Sequence, residues 1–359
     1  MMKKMKNKSC LLFIGIFFSI SYTFISCKNE IKSKEIKSDV SEFNILLQYL
    51  EKNGDYVNSS KIPSNITAAA VFQNLNNNIQ IIDIRDVESF NNGHIKGASN
   101  IRPDSLLSYF ENVIEPNNFD TIVMVCDIGV RSAFVTGILR LLGYDNVFSM
   151  KFGMCAWNTR FADALWLNAL SSKLEEKLET IENPKPEKEY HPEIHTGKSD
   201  SYEILRARAQ ALLSDTIKKF FVNIDDVSKD YSKYFIVKYL PENLNDIGQL
   251  KGAYQFSPRK SLSSKTDLFK IPTDKPVLVY CYTGTQSSFI VAFLKILGYN
   301  AYSLKYGANG FMYNTILKML PEFAFTKENV NDFPVESSVS SASLNQQNVP
   351  IKVKVKGGC

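Results

Sequence analysis

The chain is poor in the residues that build metal centres. It has three histidines and six cysteines in 359 residues. No two cysteines form a C-x-x-C pair, and no His/Cys cluster has metal-ligand spacing, so neither a metal nor an organic cofactor is expected. His191 and His195 lie in the polar stretch "ENPKPEKEYHPEIHTGK", which reads as a solvated loop rather than a ligand-bearing helix. Long apolar runs are also scarce. Leu11 to Ile20 is the one sustained stretch, shorter than the roughly 20 residues a membrane span needs. An excess of one charge is missing too. The count is 42 basic against 37 acidic residues, and Lys3, Lys4, Lys6 and Lys8 sit in the first eight positions. Without them the balance is 42 − 4 = 38 against 37, and no basic patch interleaved with aromatics is evident. This composition argues against a nucleic-acid partner.

What is present begins with "IVMVCDIGVRSAFVTGILRLLGY". Ile122 to Val125 is apolar and β-branched, a short buried strand. From Ser132 the apolar residues Phe134, Ile138, Leu141 and Leu142 fall on a helical stripe, and Gly143 stops the helix. Cys126 to Arg131 is therefore a tight loop between a strand end and a helix start. Its backbone N–H groups lack helical partners, and the helix dipole adds positive potential. Such a loop stabilises a thiolate or a small oxyanion, so Cys126 is expected to ionise readily.

The chain repeats this arrangement. "VLVYCYTGTQSSFIVAFLKILGY" places Cys281, Gly284, Ser287 and Gly298 in the same register. Upstream, "IIDIRDVESFNNGHIKGA" aligns without gaps on "IVKYLPENLNDIGQLKGA"; downstream, "SMKFGM" answers "SLKYGA". Two unrelated loops would not share this register, so the chain is a tandem duplication with one domain per copy.

Together, the D-x-R of Asp83 and Arg85, the G-H-I-x-G-A of Gly93 to Ala98, and the C-x-x-G-x-R-S of Cys126 to Ser132 resemble a rhodanese (sulfurtransferase) domain. With its leader, the whole chain resembles tandem rhodanese-like lipoproteins of Bacteroidetes type. The resemblance covers roughly residues 61–160 and 218–320. It implies an α/β fold, each domain a small parallel sheet flanked by helices, the two joined by a helical linker. It also implies that Cys126, and less directly Cys281, carries a persulfide. The persulfide would accept sulfane sulfur from thiosulfate, polysulfide or a protein persulfide partner and pass it to a thiol or cyanide. Phosphatase relatives have one more residue between Cys and Arg than the four seen here, room for a tetrahedral phosphate; the shorter ring suits a single sulfur atom.

Around Cys126, the loop residues Asp127, Ile128, Gly129, Val130, Arg131 and Ser132 are candidates for substrate binding. Around Cys281, the candidates are Tyr282, Thr283, Gly284, Thr285, Gln286 and Ser287. Arg131 offers a fixed fork of charged donors, whereas Gln286 in its place supplies no charge. Asp127 offsets Arg131 if its carboxylate points inward, which would make thiosulfate a poor donor. Lys238, Leu240 and Gln249 replace Asp83, Arg85 and His94 in the second copy. Asp83 and Arg85 are expected to form a structural ion pair, and His94 to fix a turn. Cys155 has no counterpart in the second copy and is expected to pack.

The remaining segments set the setting. A Lys-rich start, the Leu11–Ile20 run and "FISC" read as a lipoprotein signal peptide over residues 1–26, with lipidation of Cys27. This predicts a lipid-anchored protein of the bacterial cell envelope, periplasmic or on the outer surface. The expected order continues with a tether and helix (27–60), the first domain (61–165), a helical linker (166–217), the second domain (218–325) and a flexible tail (326–359). The linker is expected to hold a helix over "LSSKLEEKLETI" and another from about Ser201 to Ile217. Cys359, at the tip of the tail, is a candidate sulfur shuttle. The competing class is a non-catalytic binding or scaffold module on the same fold.

Overall fold

A computed structural model describes residues 41–337, without the side chains of residues 244–246. Cys27, Cys359 and the signal peptide lie outside the described residues. The first domain is built on β1 (Asn65–Ile66), β2 (Ile79–Asp83), β3 (Ser99–Asn100), β4 (Thr121–Val125) and β5 (Val147–Met150). The second repeats it with β6 (Phe221–Val222), β7 (Phe235–Tyr239), β8 (Ala253–Phe256), β9 (Val277–Tyr280) and β10 (Ala301–Leu304). The strand orders are β1-β5-β4-β2-β3 and β6-β10-β9-β7-β8, every pairing parallel. The central strands explain themselves. In β4 "TIVMV" and β9 "VLVY", nearly every residue is buried, as in a parallel strand covered by helices on both faces. Each cysteine follows the middle strand of its sheet, at the carboxyl edge where open parallel sheets place their sites.

The longest helices among the described residues are α1 (Glu42–Lys52), α2 (Val130–Leu141), α3 (Ser201–Ser214) and α4 (Thr285–Ile296). Among the residues of α2, all but Arg131 are buried. A one-sided stripe is too little to account for that burial. The other face of α2 packs on α4, where Gly137 allows the closest approach: a Cβ there would lie 3.0 Å from the Ala292 Cβ. The two copies thus share a core through equivalent helices. Their cysteine loops are neighbours, since a Cβ on Gly284 would lie 3.2 Å from Val130 Cγ1.

Two connections differ from the sequence-based expectation. "LSSKLEEKLETI" is not a helix; it forms one 3-10 turn at Glu175–Lys177 and otherwise runs extended over the second domain. Ser171 N donates to Asn309 O, Leu174 N to Phe311 O, and Glu179 pairs with Gln249 as an antiparallel bridge. These bonds, and the burial of Leu174, outweigh the helix propensity of the Leu/Glu/Lys run. The linker is helical only in α3 and short turns. The beginning of the expected flexible tail, residues 326–337, is packed as well. Asn331 N donates to Ala156 O, Phe333 N to Trp157 O, and Glu336 pairs with His94. Phe333 stacks on Phe72 with centroids 4.1 Å apart, and Trp157 Nε1 donates to Pro334 O at 2.9 Å.

These straps are reciprocal. The segment leaving the first domain pairs with Gln249 of the second, and the segment leaving the second pairs with His94 of the first. Gln249 and His94 are equivalent residues. Each copy therefore closes the other's flank.

Candidate active site

The Cys126 loop begins where β4 ends and closes where α2 starts. Gly129, at φ 87°, turns the chain so that its N–H aims at the sulfur. Gly129 N donates to Cys126 Sγ at 3.2 Å, Ser132 N at 3.3 Å, and Ser132 Oγ lies 3.3 Å away. Two backbone donors and a hydroxyl thus converge on one sulfur. Ser132 is held by Ser149 Oγ at 2.9 Å, so the hydroxyl is positioned rather than free. Cys126 has no exposed surface.

Arg131 and Asp127 form an ion pair four residues apart. Burial opposes the charge on Arg131, but the Cys126 sulfur and the Asp127 carboxylate together hold its guanidinium above the ordinary value. The permanent charge beside the thiol is thus partly committed to Asp127. Of the remaining loop residues, Ile128 and Val130 are buried, and Trp166 Nε1 donates to Ile128 O at 3.1 Å.

The second loop repeats the geometry with one backbone donor on the sulfur where the first has two. Ser287 N donates to Cys281 Sγ at 3.3 Å, and the thiol donates to Ser287 Oγ at 3.6 Å; Ser303 Oγ lies 2.8 Å from that hydroxyl. Gly284 turns this loop at φ 79°. Tyr282, Thr283 and Thr285 are buried, and Gln286 is half-exposed. Tyr282 stacks on Phe323, and burial pushes its hydroxyl far above the usual tyrosine range.

Beneath each loop sits a glycine that the repeat already marked. A Cβ on Gly153 (φ 60°) would lie 2.2 Å from Cys126 O, and one on Gly307 (φ 54°) 2.2 Å from Cys281 O. Only glycine permits this approach. The preceding Phe152 and Tyr306 have φ of 66° and 62° and flank an aromatic pair between the copies. There Trp166 stacks on Phe325 with centroids 4.7 Å apart, and Phe152 and Tyr306 meet Trp166 edge-on at 5.2 and 4.9 Å. The repeated K-aromatic-G of "SMKFG" and "SLKYG" was the signal for these glycines. Nothing local in the sequence marked Trp166 and Phe325.

Asp83 and Arg85 form a buried ion pair. Arg85 Nη2 donates to Asp83 Oδ2 at 2.6 Å and to Gly93 O at 2.7 Å. The pair ties β2 to the turn that carries His94. His94 Nδ1 lies 2.9 Å from Phe90 O, and the ring stacks on Phe90. His94 thus braces that turn, and its backbone receives the strap. In the second copy Lys238 is buried, its ammonium depressed by burial and partly supported by Glu182 of the linker. Cys155 packs with its thiol donating to Phe161 O at 3.3 Å, and burial raises it to about 12. Such a thiol is inert at neutral pH. His195 is exposed, and among the described residues no group of three His, Cys, Asp or Glu side chains is placed to hold a metal ion.

A strand-loop-helix cradle holding one sulfur on backbone N–H groups, built twice on parallel five-stranded sheets, defines a class of cysteine-loop α/β domain. Comparison with known proteins gives the class its family. The Rhodanese-like domain model matches residues 67–160 and 210–314, and the chain belongs to this family. Among curated relatives, the thiosulfate sulfurtransferase GlpE of Shewanella oneidensis is 38% identical over 80 residues, 22% of this chain and 76% of that protein. Among solved structures, a rhodanese-like domain protein from Staphylococcus aureus is 30% identical over 26% of this chain and 91% of its own, with a TM-score of 0.24. A thiosulfate sulfurtransferase from Pseudomonas aeruginosa is 15% identical over 70% of this chain and 45% of its own, with a TM-score of 0.28.

Proposed function

We propose that the chain is a sulfurtransferase working through a persulfide on Cys126. The observation that carries this reading is the pair of backbone donors, Gly129 N and Ser132 N, on one sulfur beside Arg131. With thiosulfate, the Cys126 thiolate attacks the sulfane sulfur, the S–S bond breaks, and sulfite leaves with the electron pair. Cyanide then attacks the outer sulfur of Cys126–S–S⁻, releasing thiocyanate and restoring the thiolate. A thiol acceptor reacts in the same way. Polysulfide and protein persulfides are further donors, and no cofactor takes part. Lipid attachment through Cys27 would tether the enzyme to a membrane of the cell envelope, with Cys359 as a sulfur shuttle; the leader and tail patterns support both.

For the second domain a scaffold role is favoured by specific substitutions. Gln286 carries no charge where Arg131 does, and Lys238 and Leu240 replace the Asp83–Arg85 pair. The reading is tested by incubating the full chain in detergent with thiosulfate or polysulfide, then following added sulfur by intact mass and thiocyanate formation with cyanide. Loss of both in Cys126→Ser, with retention in Cys281→Ser, is the expected result. Absence of sulfur uptake from every donor would turn the reading to a binding module. Membrane attachment is checked by acyl-chain labelling, which Cys27→Ala should abolish.

A further inference from the structure

Beside Arg131 lies a cleft of about 410 Å³ with two walls. The first domain supplies Ile84–Val87, Arg102–Asp104 and Arg131; the end of α3 and the residues after it supply 213–218. The volume falls within the roughly 300–1,000 Å³ of organic ligand sites, far larger than an inorganic sulfur anion needs. Buried Ile84, Leu213 and Ile217 give the cleft an apolar floor.

Its charges are balanced. Arg85 is locked to Asp83 and Arg131 to Asp127. At the rim, Arg102 pairs with Asp104 at 2.6 Å, and Lys218 with Asp86 at 3.5 Å across the two walls. Asp215 is held by Lys219 at 2.7 Å. Among the described residues of the cleft, each cation has a carboxylate partner. A dianion such as thiosulfate would have to displace a carboxylate to gain a contact. A ligand carrying an ammonium and a carboxylate together exchanges into these pairs without adding net charge. The exposed rim pairs are individually weak and exchange readily.

We propose that this cleft selects a small zwitterionic thiol of the amino-acid type as the sulfur acceptor of Cys126, its carboxylate on Arg102 and Lys218 and its ammonium on Asp104 and Asp215. The proposal rests on the persulfide reading above and specifies its substrate. In the transfer step the acceptor thiolate attacks the outer sulfur of Cys126–S–S⁻. The Cys126–S bond to that sulfur breaks, a new S–S bond forms on the acceptor, and the electron pair returns to the Cys126 thiolate. No external oxidant or reductant is needed. Because one wall belongs to the connection between the domains, the acceptor site is a property of the whole chain rather than of one domain.

The test uses the full chain in detergent, charged with polysulfide. Persulfide discharge is followed with L-cysteine, with cysteamine (no carboxylate) and with 3-mercaptopropionate (no ammonium), each at matched thiolate concentration. Cysteine is expected to be preferred over both by about five- to tenfold. Arg102→Ala combined with Lys218→Ala should collapse the preference over cysteamine through KM, and Lys218→Arg should keep it. Equal discharge by the three thiols, or a preference that survives the double variant, overturns the proposal while leaving persulfide chemistry intact. Failure of Cys126 to take up sulfur overturns the persulfide reading and this one with it.

Discussion

At the residue scale the two cysteine chemistries diverge through their neighbours. Cys126 receives two backbone donors, whereas burial raises the thiol of Cys155 to about 12. In the folded protein iodoacetamide at pH 8 should therefore leave Cys155 unlabelled, and labelling should appear only on unfolding; peptide mass mapping reads this directly. Lys295 offers a second test. It lies 3.9 Å from the Phe220 ring, and burial, reinforced by Lys219 and Arg208 and opposed by Asp215, lowers its ammonium to about 8. A folded value below the unfolded one means that the unfolded chain binds more protons between these pH values. The cost of burying this ammonium is therefore fully present below about pH 8 and is relieved as pH rises from about 8 towards 10.5. Denaturant titrations of wild type and Lys295→Met should converge as pH rises from 8 to 10, by an amount on the order of 1–3 kcal/mol. Parallel curves would contradict the shift.

At the scale of elements, the loops depend on a backbone contact that side chains cannot replace. Gly153→Ala forces a Cβ against Cys126 O and Asp127 O, so sulfur uptake should fall steeply and stability by about 2–4 kcal/mol. Chemical denaturation and intact-mass loading check both. The helix pair α2 and α4 makes a parallel demand. Gly137→Leu inserts a side chain where Ala292 and Phe289 already touch, and overpacking should cost about 1–3 kcal/mol. The strand-loop-helix order was legible along the chain because β4 and α2 change from an apolar run to a helical stripe at Cys126. Burial of the far face of α2 was not legible, because "VRSAFVTGILRL" shows its small residues but not the partner that fills the groove. The same reason explains the linker: the spacing of Leu170, Leu174 and Leu178 suits a helix, yet Leu174 and Leu178 pack on the second domain from a chain whose only helical piece there is one 3-10 turn.

At the scale of the whole molecule, the reciprocal straps make each domain depend on the other's flanking segment. Phe333→Ala removes a side chain that stacks on Phe72 and meets Trp157 edge-on, with a cost of about 2–4 kcal/mol expected. If the straps couple the domains, this loss at the far end of the chain should lower the thermal midpoint of the first domain. Hydrogen exchange in β2 and β4 should rise with it. A change confined to residues 326–337 would mean that the strap is only a passenger. The aromatic pair Trp166 and Phe325 sits between both loops and belongs to this scale, since its members come from the segments that leave different domains.

Duplication, the strand-loop-helix order and the cysteine cradle were all written along the chain. They rest on local period, spacing and turn chemistry, which neighbouring residues dictate wherever the chain goes. That Asp127 would offset Arg131 was foreseeable for the same reason, both standing in the short Cys126–Arg131 loop. Contacts between residues far apart in sequence decided the rest. Leu213 to Lys218 became a wall of the cleft, residues 326–337 a strap on the first domain, and Val130 a neighbour of Gly284. Such contacts depend on which apolar faces find each other once both copies have formed, and no local pattern encodes that choice.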